Sequence, residues 1–82
     1  FPNPTAQSLS LRLELQKPSE VKVQLIDLQG RVIGQHNAGM QSTGVQTLNL
    51  DALVARASAG LYLVRAEVGE KVLDRKLVLT GN

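Results

Sequence analysis

The side chains of this sequence that could do chemistry are few and far apart. Histidine occurs once, as His36, and cysteine does not occur in the 82 residues. A catalytic triad places a histidine between a serine and a carboxylate, and Ser42, Asp27 and Asp51 supply those groups by composition. The G-x-S-x-G sequence that exposes a serine nucleophile at a sharp turn does not occur. We therefore predict that His36 is a surface loop histidine and not a catalytic one.

Metal and phosphate chemistry is not indicated either. Without cysteine the chain has no thiolate ligand and no disulfide, and one histidine is too few for a multi-histidine metal cage. The acids Asp27, Asp51 and Asp74 stand apart, without the spacing of a calcium-binding loop. The glycines between residues 30 and 44 do not lead from a strand into a helix, as a phosphate-binding loop requires. We expect no cofactor, no metal and no catalytic residue, which argues against most classes of enzyme.

Charge and aromatic content limit the partners. Nine basic and seven acidic residues give a formal net charge of +2, and their signs are interleaved along the chain, which is typical of a solvated surface. Only Phe1 and Tyr62 are aromatic, so little is available to stack on bases or sugars. No apolar run approaches the roughly 20 residues that span a bilayer. We predict no nucleic-acid binding and no membrane-spanning segment.

Alternating apolar residues indicate the elements that position these side chains. Leucines at every second position predict a strand over residues 9–15, and Val21, Val23 and Leu25 predict the next one. Residues 27–30 fit a type I turn, because an aspartate at its first position can accept hydrogen bonds from amides across the turn. A glycine at its fourth position tolerates positive φ. A third strand is predicted to open at Val32.

The second half predicts further short strands. Residues 37–44 are polar and contain glycine, so we predict a loop there, with a short edge strand near Met40 as an alternative. A brief strand is predicted over residues 48–50, and then about one turn of helix that Asp51 caps and Gly60 ends. Strands over residues 60–68 and 72–79 complete the pattern. The fold class predicted is all-β, an immunoglobulin-like antiparallel β-sandwich of six to seven strands in one domain, residues 1–82.

Two features of the last strands bear on recognition. Tyr62 lies in an aliphatic strand and is predicted to anchor the core while its hydroxyl bonds a partner at the rim. Leu77, Val78 and Leu79 place apolar groups on both faces of the final strand, directly after Lys76. Either both faces are covered within the sandwich, or this strand attracts a partner, self-association through the edge included.

Four short motifs also occur in a characteristic order. Residues 1–5 read F-P-N-P-T, residues 27–32 D-L-Q-G-R-V, residues 60–64 G-L-Y-L-V, and residues 76–79 K-L-V-L. Together, over essentially the whole chain, they resemble type A C-terminal sorting domains of the type IX (Por) secretion system. The residues that match the motifs of that family are Pro2, Asn3, Pro4, Asp27, Gly30, Gly60, Tyr62, Val64, Lys76, Leu77, Val78 and Leu79.

The resemblance implies a non-catalytic address label. Domains of this family lie at the C-terminus of exported proteins of Gram-negative bacteria, so the chain, which begins at Phe1, is expected to be a piece of a longer protein with an N-terminal cargo domain. The implied partners are the outer-membrane translocon and a sortase-like peptidase. The implied route runs through the periplasm to the cell surface or the medium, where the peptidase removes the label and joins the cargo to lipopolysaccharide.

A different class of function is left open by the residues themselves. An immunoglobulin-like sandwich without reactive groups also suits an accessory binding or structural module of an extracellular enzyme or adhesin. The low aromatic content argues against carbohydrate binding, because sugar platforms need exposed rings.

Overall fold

A computed structural model describes residues 8–80 of the chain. Within that range it forms six strands and one turn of helix, which confirms the predicted all-β sandwich. The elements are β1 (Ser10–Leu15), β2 (Ser19–Ile26), β3 (Val32–Gln41), β4 (Gly44–Asn49), α1 (Asp51–Val54), β5 (Gly60–Val68) and β6 (Lys71–Leu79).

The strands form two antiparallel sheets. One sheet contains β1 and β4, and the other has the order β3-β2-β5-β6, so β3 and β6 are the edge strands of the larger sheet. β2 pairs with β5 as well as with β3, although a long stretch of chain separates β2 from β5. Three of the predicted motif regions, the turn after β2 and the strands β5 and β6, therefore belong to adjacent parts of one sheet.

The hydrophobic core lies between the two sheets. Each strand of the core alternates, so that the leucines of β1 and the valines of β2 point to the same interior. Val23 and Val54 are fully buried there, and Leu25 and Leu50 are only 1% exposed. The members of the core are Leu13, Leu15, Val21, Val23, Leu25, Leu48, Leu50, Val54, Val64, Ala66 and Leu79.

The single helical turn was predicted, but its ends were not. Asp51 is the first residue of α1 and does not cap it through its side chain. Its carboxylate Oδ1 instead accepts a hydrogen bond from the Leu9 amide at 2.7 Å, which fastens the start of β1 to α1. The helix ends at Val54, and Gly60 is not its terminator but the first residue of β5. The predicted capping role of Asp51 is wrong because its carboxylate binds the amide of a residue 42 positions away in the sequence.

The predicted loop over residues 37–44 is wrong, although the edge strand expected near Met40 is present. β3 continues as a strand to Gln41, and only Ser42 and Thr43 connect it to β4. His36 accordingly lies within β3 opposite Val23, although it is exposed as predicted. An edge strand of a small sheet is solvated along much of its length, so its polar composition does not prevent strand pairing.

Tyr62 has the role predicted for it. Its ring packs against the core, and its hydroxyl donates a hydrogen bond to the Ser58 carbonyl oxygen at 2.7 Å. The tyrosine therefore fastens the segment between α1 and β5 to the beginning of β5, in the manner of a tyrosine corner.

Candidate recognition surface

The outer face of the larger sheet carries an apolar surface at one end. Strand alternation turns Val64 and Leu79 toward the core, so their neighbours Leu63 and Val78 point away from it. Ile26 is only 7% exposed but is not part of the hydrophobic cluster between the sheets, and its pairing with Leu63 places it on this outer face. We call this surface the outer patch; its members are Ile26, Leu28, Leu61, Leu63 and Val78.

Strand register brings the outer patch together. Ile26 of β2 lies opposite Leu63 of β5, and Leu61 of β5 lies opposite Val78 of β6. Directly opposed residues of antiparallel strands share a face and have neighbouring Cβ atoms. Leu28, at 70% exposure, extends the patch from the adjoining turn. The result is a shallow groove of about 370 Å³, to which four of the five patch residues contribute.

The turn at residues 27–30 fixes one end of the groove. The Gly30 amide donates to the Asp27 carbonyl oxygen at 3.0 Å, and Gly30 has φ of +87°, which glycine adopts without steric cost. The Asp27 carboxylate Oδ1 accepts hydrogen bonds from the amides of Gln29 and Arg31, each at 2.9 Å. The predicted turn, with its aspartate acceptor and its glycine of positive φ, is confirmed.

Charged side chains border the groove, and they differ in whether they have an ion-pair partner. The Arg31 Nε donates to Asp27 Oδ2 at 2.9 Å, and Arg65 binds Asp74 through Nε at 2.9 Å and Nη2 at 3.2 Å. Those hydrogen bonds raise the pKa of Arg65 and hold the pKa of Asp74 below its usual range. Lys76 lines the same groove but forms no ion pair within residues 8–80. The groove therefore offers apolar contacts and one ammonium group that an anionic partner can bind.

Replacing Asp27 by asparagine should destabilise the domain in a pH-dependent manner. The Arg31 amide, followed by the Arg31 side chain and the Gln29 amide, holds the pKa of Asp27 below its ordinary value of 3.8, although desolvation opposes them. A depressed folded-state pKa contributes stability above the unfolded pKa and loses it as the pH falls through the folded value. Asp27→Asn should thus lower the Tm near neutral pH, and the difference from wild type should close well below pH 3.8. A Tm difference that is constant across this range would contradict the assignment.

The structure places the motif residues in the core, on the outer face of the larger sheet and in the turn after β2. Val64 and Leu79 are buried in the core, and Tyr62 and Leu77 pack against it. Lys76 and Val78 point to the outer face, on the strand next to Leu61 and Leu63. Asp27 and Gly30 form the turn, and Gly60 pairs with Leu79. Pro2, Asn3 and Pro4 lie outside the described residues.

The outer patch itself was missed by the sequence reasoning. Ile26, Leu28, Leu61 and Leu63 each lie in a strand or a turn that the neighbouring residues already account for, so the local pattern does not mark them as one surface. One signal was present: residues 61–64 are apolar at every position, so that both faces of this strand are apolar there.

Among residues 8–80, no cluster of three or more histidine or acidic side chains is placed to hold a metal ion. A search of the same residues finds no helix with the length and hydropathy needed to cross a membrane.

Comparison with known families gives one result. The family model described as "Secretion system C-terminal sorting domain" matches residues 1–80. The match covers all the elements described above and both ends of the motif series. Comparisons with curated proteins and with solved structures returned no significant match.

Proposed function

Because the chain belongs to the family of type IX secretion system C-terminal sorting domains, we propose that it is the sorting domain, residues 1–82, of a longer exported protein. Domains of this family are sorting signals and not catalytic domains. They imply interaction with the type IX machinery and export to the cell surface or extracellular space of Gram-negative bacteria. The family match over residues 1–80 is the observation that carries this proposal.

The finer steps follow from the same premise. The cargo, which we propose lies N-terminal to this domain, crosses the inner membrane first and reaches the periplasm, where the sorting domain folds. The outer-membrane translocon then binds the folded domain. At the cell surface a sortase-like peptidase removes the domain and joins the cargo to lipopolysaccharide. A sandwich that has an aliphatic core and no cysteine suits a domain that is folded, bound and discarded.

We further propose that the machinery binds the outer patch. Motif segments from distant parts of the sequence supply this surface: the turn at residues 27–30, the strand over residues 60–64 and the strand over residues 76–79. Burial of Leu28, Leu61 and Val78 against a partner would remove exposed apolar area from water, which is favourable in proportion to that area. The Lys76 ammonium adds the requirement for an anionic group on the partner.

The necessity of the last strand can be tested with a secreted reporter. Residues 1–82 are fused to the C-terminus of a reporter with an inner-membrane signal peptide, in a host that has the type IX system. The complete fusion should reach the cell surface, whereas a fusion that lacks residues 76–82 should stay in the periplasm. This deletion removes Val78 from the outer patch, Lys76 from the groove lining and Leu79 from the core.

A fusion with residues 76–82 replaced by a glycine–serine segment of equal length controls for the position of the terminus, and should also be retained. Undiminished secretion of either shortened or replaced form would contradict a role for the last strand.

A further inference from the structure

The edge of β6 that faces away from β5 is long and regular, and no other strand of residues 8–80 pairs with it. Within the described part of the chain β6 pairs only with β5, and that pairing runs through nine residue pairs, from Gly60–Leu79 to Val68–Lys71, without a register shift. The opposite edge strand, β3, has two register shifts in its pairing with β2. Bulges protect an edge from a further strand, and a straight edge accepts one.

The sequence of this edge is complementary to itself. Residues 72–78 read V-L-D-R-K-L-V. A second, antiparallel copy can be placed with its Arg75 opposite Arg75 of the first. Each remaining residue then faces the residue of the second copy that lies at the same distance from Arg75 in the opposite direction along the sequence. Val72 then faces Val78 of the second copy, Leu73 faces Leu77, and Asp74 faces Lys76.

We propose that β6 pairs with β6 of a second copy of this chain, antiparallel and centred on Arg75, to form one continuous sheet of four strands from each copy. On each side of the two-fold axis, the pairing joins one pair of opposite charge next to Arg75 and then two pairs of apolar residues. Such an arrangement is an isologous interface, in which the same surface serves both partners.

Exposure and charge both favour this register. Val72 is 56% exposed, Val78 64% and Leu73 39%, so each has apolar surface that the pairing removes from water. The residues that face each other lie on the same side of the sheet. Their sequence positions differ by an even number, and side chains at such positions of a strand point to the same face. Cross-strand apolar pairs and opposite-charge pairs stabilise antiparallel strands.

One ion pair of the proposed interface, between Arg65 and Asp74, already exists within each copy. Asp74 already accepts two hydrogen bonds from Arg65 of its own chain, and its side chain remains 41% exposed. In the pair it lies between Arg65 and Lys76 of the second copy, and Lys76 gains a carboxylate partner. The two Arg75 side chains oppose the pairing, since like charges directly opposite destabilise a strand pair. Each is exposed to solvent, where water and salt screen the repulsion.

A single introduced cysteine tests the register. The chain has no cysteine, so any disulfide of Arg75→Cys joins two copies. Directly opposed residues of antiparallel strands have Cα atoms about 4.5–5.5 Å apart, within the range of roughly 4.4–6.8 Å that a disulfide spans. The matched control is Lys71→Cys, which also replaces an exposed cation of β6. In the proposed register its two copies lie about 27 Å apart along the strands, at about 3.4 Å per residue.

Under a mild glutathione buffer, Arg75→Cys should form disulfide-linked dimers several-fold faster than Lys71→Cys, and circular dichroism should show both folded. Equal rates of cross-linking, or none for Arg75→Cys, would overturn the proposal. The measurement does not involve secretion, so its outcome is independent of the sorting function. Val78 and Lys76 take part in both proposals, so the paired chains separate before the machinery binds the outer patch.

Sedimentation of cysteine-free variants tests the charge complementarity. The wild-type chain should show concentration-dependent dimerisation, and Lys76→Glu should weaken it by placing two acidic groups opposite Asp74 residues. Lys17→Glu, with the same charge change at an exposed position between β1 and β2, should dimerise as wild type does. A monomeric wild type at millimolar concentration, or equal weakening by both variants, would overturn self-pairing.

Discussion

Shortening Leu25 to alanine is expected to remove about 2–5 kcal/mol from the free energy of unfolding, the range for leucine-to-alanine changes in a packed core. Leu25 is 1% exposed on β2, the strand that pairs with both β3 and β5. The surrounding strands are held by their ladders and cannot fill the space left by the side chain. A domain of 82 residues has a total stability of about 4–12 kcal/mol, from about 0.05–0.15 kcal/mol per residue, so the variant loses a substantial fraction of it.

Urea denaturation measures the free energy of unfolding of Leu25→Ala, with Leu28→Ala as the control variant. Leu28 is the same residue type three positions later but is 70% exposed, so its truncation should change the free energy of unfolding by less than about 0.5 kcal/mol. Comparable losses for the two variants would mean that the core does not lie between the sheets as described.

Replacing Leu28 by glutamate is expected to prevent secretion of the reporter fusion while the domain stays folded. The side chain projects from the turn at residues 27–30 into the outer patch and is largely solvated, so a charge there costs little in the free domain. If the translocon covers the patch as proposed, the same carboxylate either loses its water among apolar side chains or takes the Lys76 ammonium from the anionic group of the partner, and both effects weaken binding. We expect at least most of the reporter to remain in the periplasm.

The matched control is Met40→Glu. Met40 is 69% exposed and lies opposite Glu20, at the other end of the β2–β3 pair. The two variants thus introduce the same charge at equally exposed apolar positions. Met40→Glu should have the lower Tm of the two, because its carboxylate lies directly opposite that of Glu20, so its secretion would show that a modest loss of stability does not block export. Met40→Glu should be secreted as wild type is. If both variants are secreted equally, or both are retained, the outer patch is not the surface that the machinery binds.

The parts of the fold that sequence predicted are those governed by local physics. The alternation of residues 9–15 and 21–25 fixes which side chains face the core, whatever the strand order. The turn at residues 27–30 follows from one acceptor and one glycine within four residues, and the structure has both in place. Tyr62 was also predictable, because a lone tyrosine in an aliphatic strand must bring its hydroxyl to a partner, here the Ser58 carbonyl.

The errors arose where distant residues decide the conformation. Residues 37–41 lack an apolar pattern, yet β2 supplies the hydrogen-bond ladder that holds them as strand, and His36 with them. Asp51 has the sequence context of a helix cap, but the Leu9 amide takes its carboxylate. In both cases the competing interaction is long-range, and a local pattern contains no trace of it.

The candidate surface was hidden for the same reason. That residues 61–64 are apolar on both faces is visible in the sequence, but what lies beside them is not. Only the pairing of β5 with β2 and β6 places Ile26 opposite Leu63 and Val78 opposite Leu61. The roles of the motif residues in sorting stay predictions, and the structure adds to them a distinction between those that build the core and those that face outward.

The most direct test of the central claim is where a reporter fused to residues 1–82 is found in two otherwise identical hosts, one with a working type IX translocon and one without. Protease accessibility on intact cells measures the surface fraction, and osmotic shock measures the periplasmic fraction. If the chain is a sorting signal, the reporter reaches the surface or the medium only in the first host and accumulates in the periplasm of the second. A reporter that is periplasmic in both hosts, or exposed in both, would contradict the account.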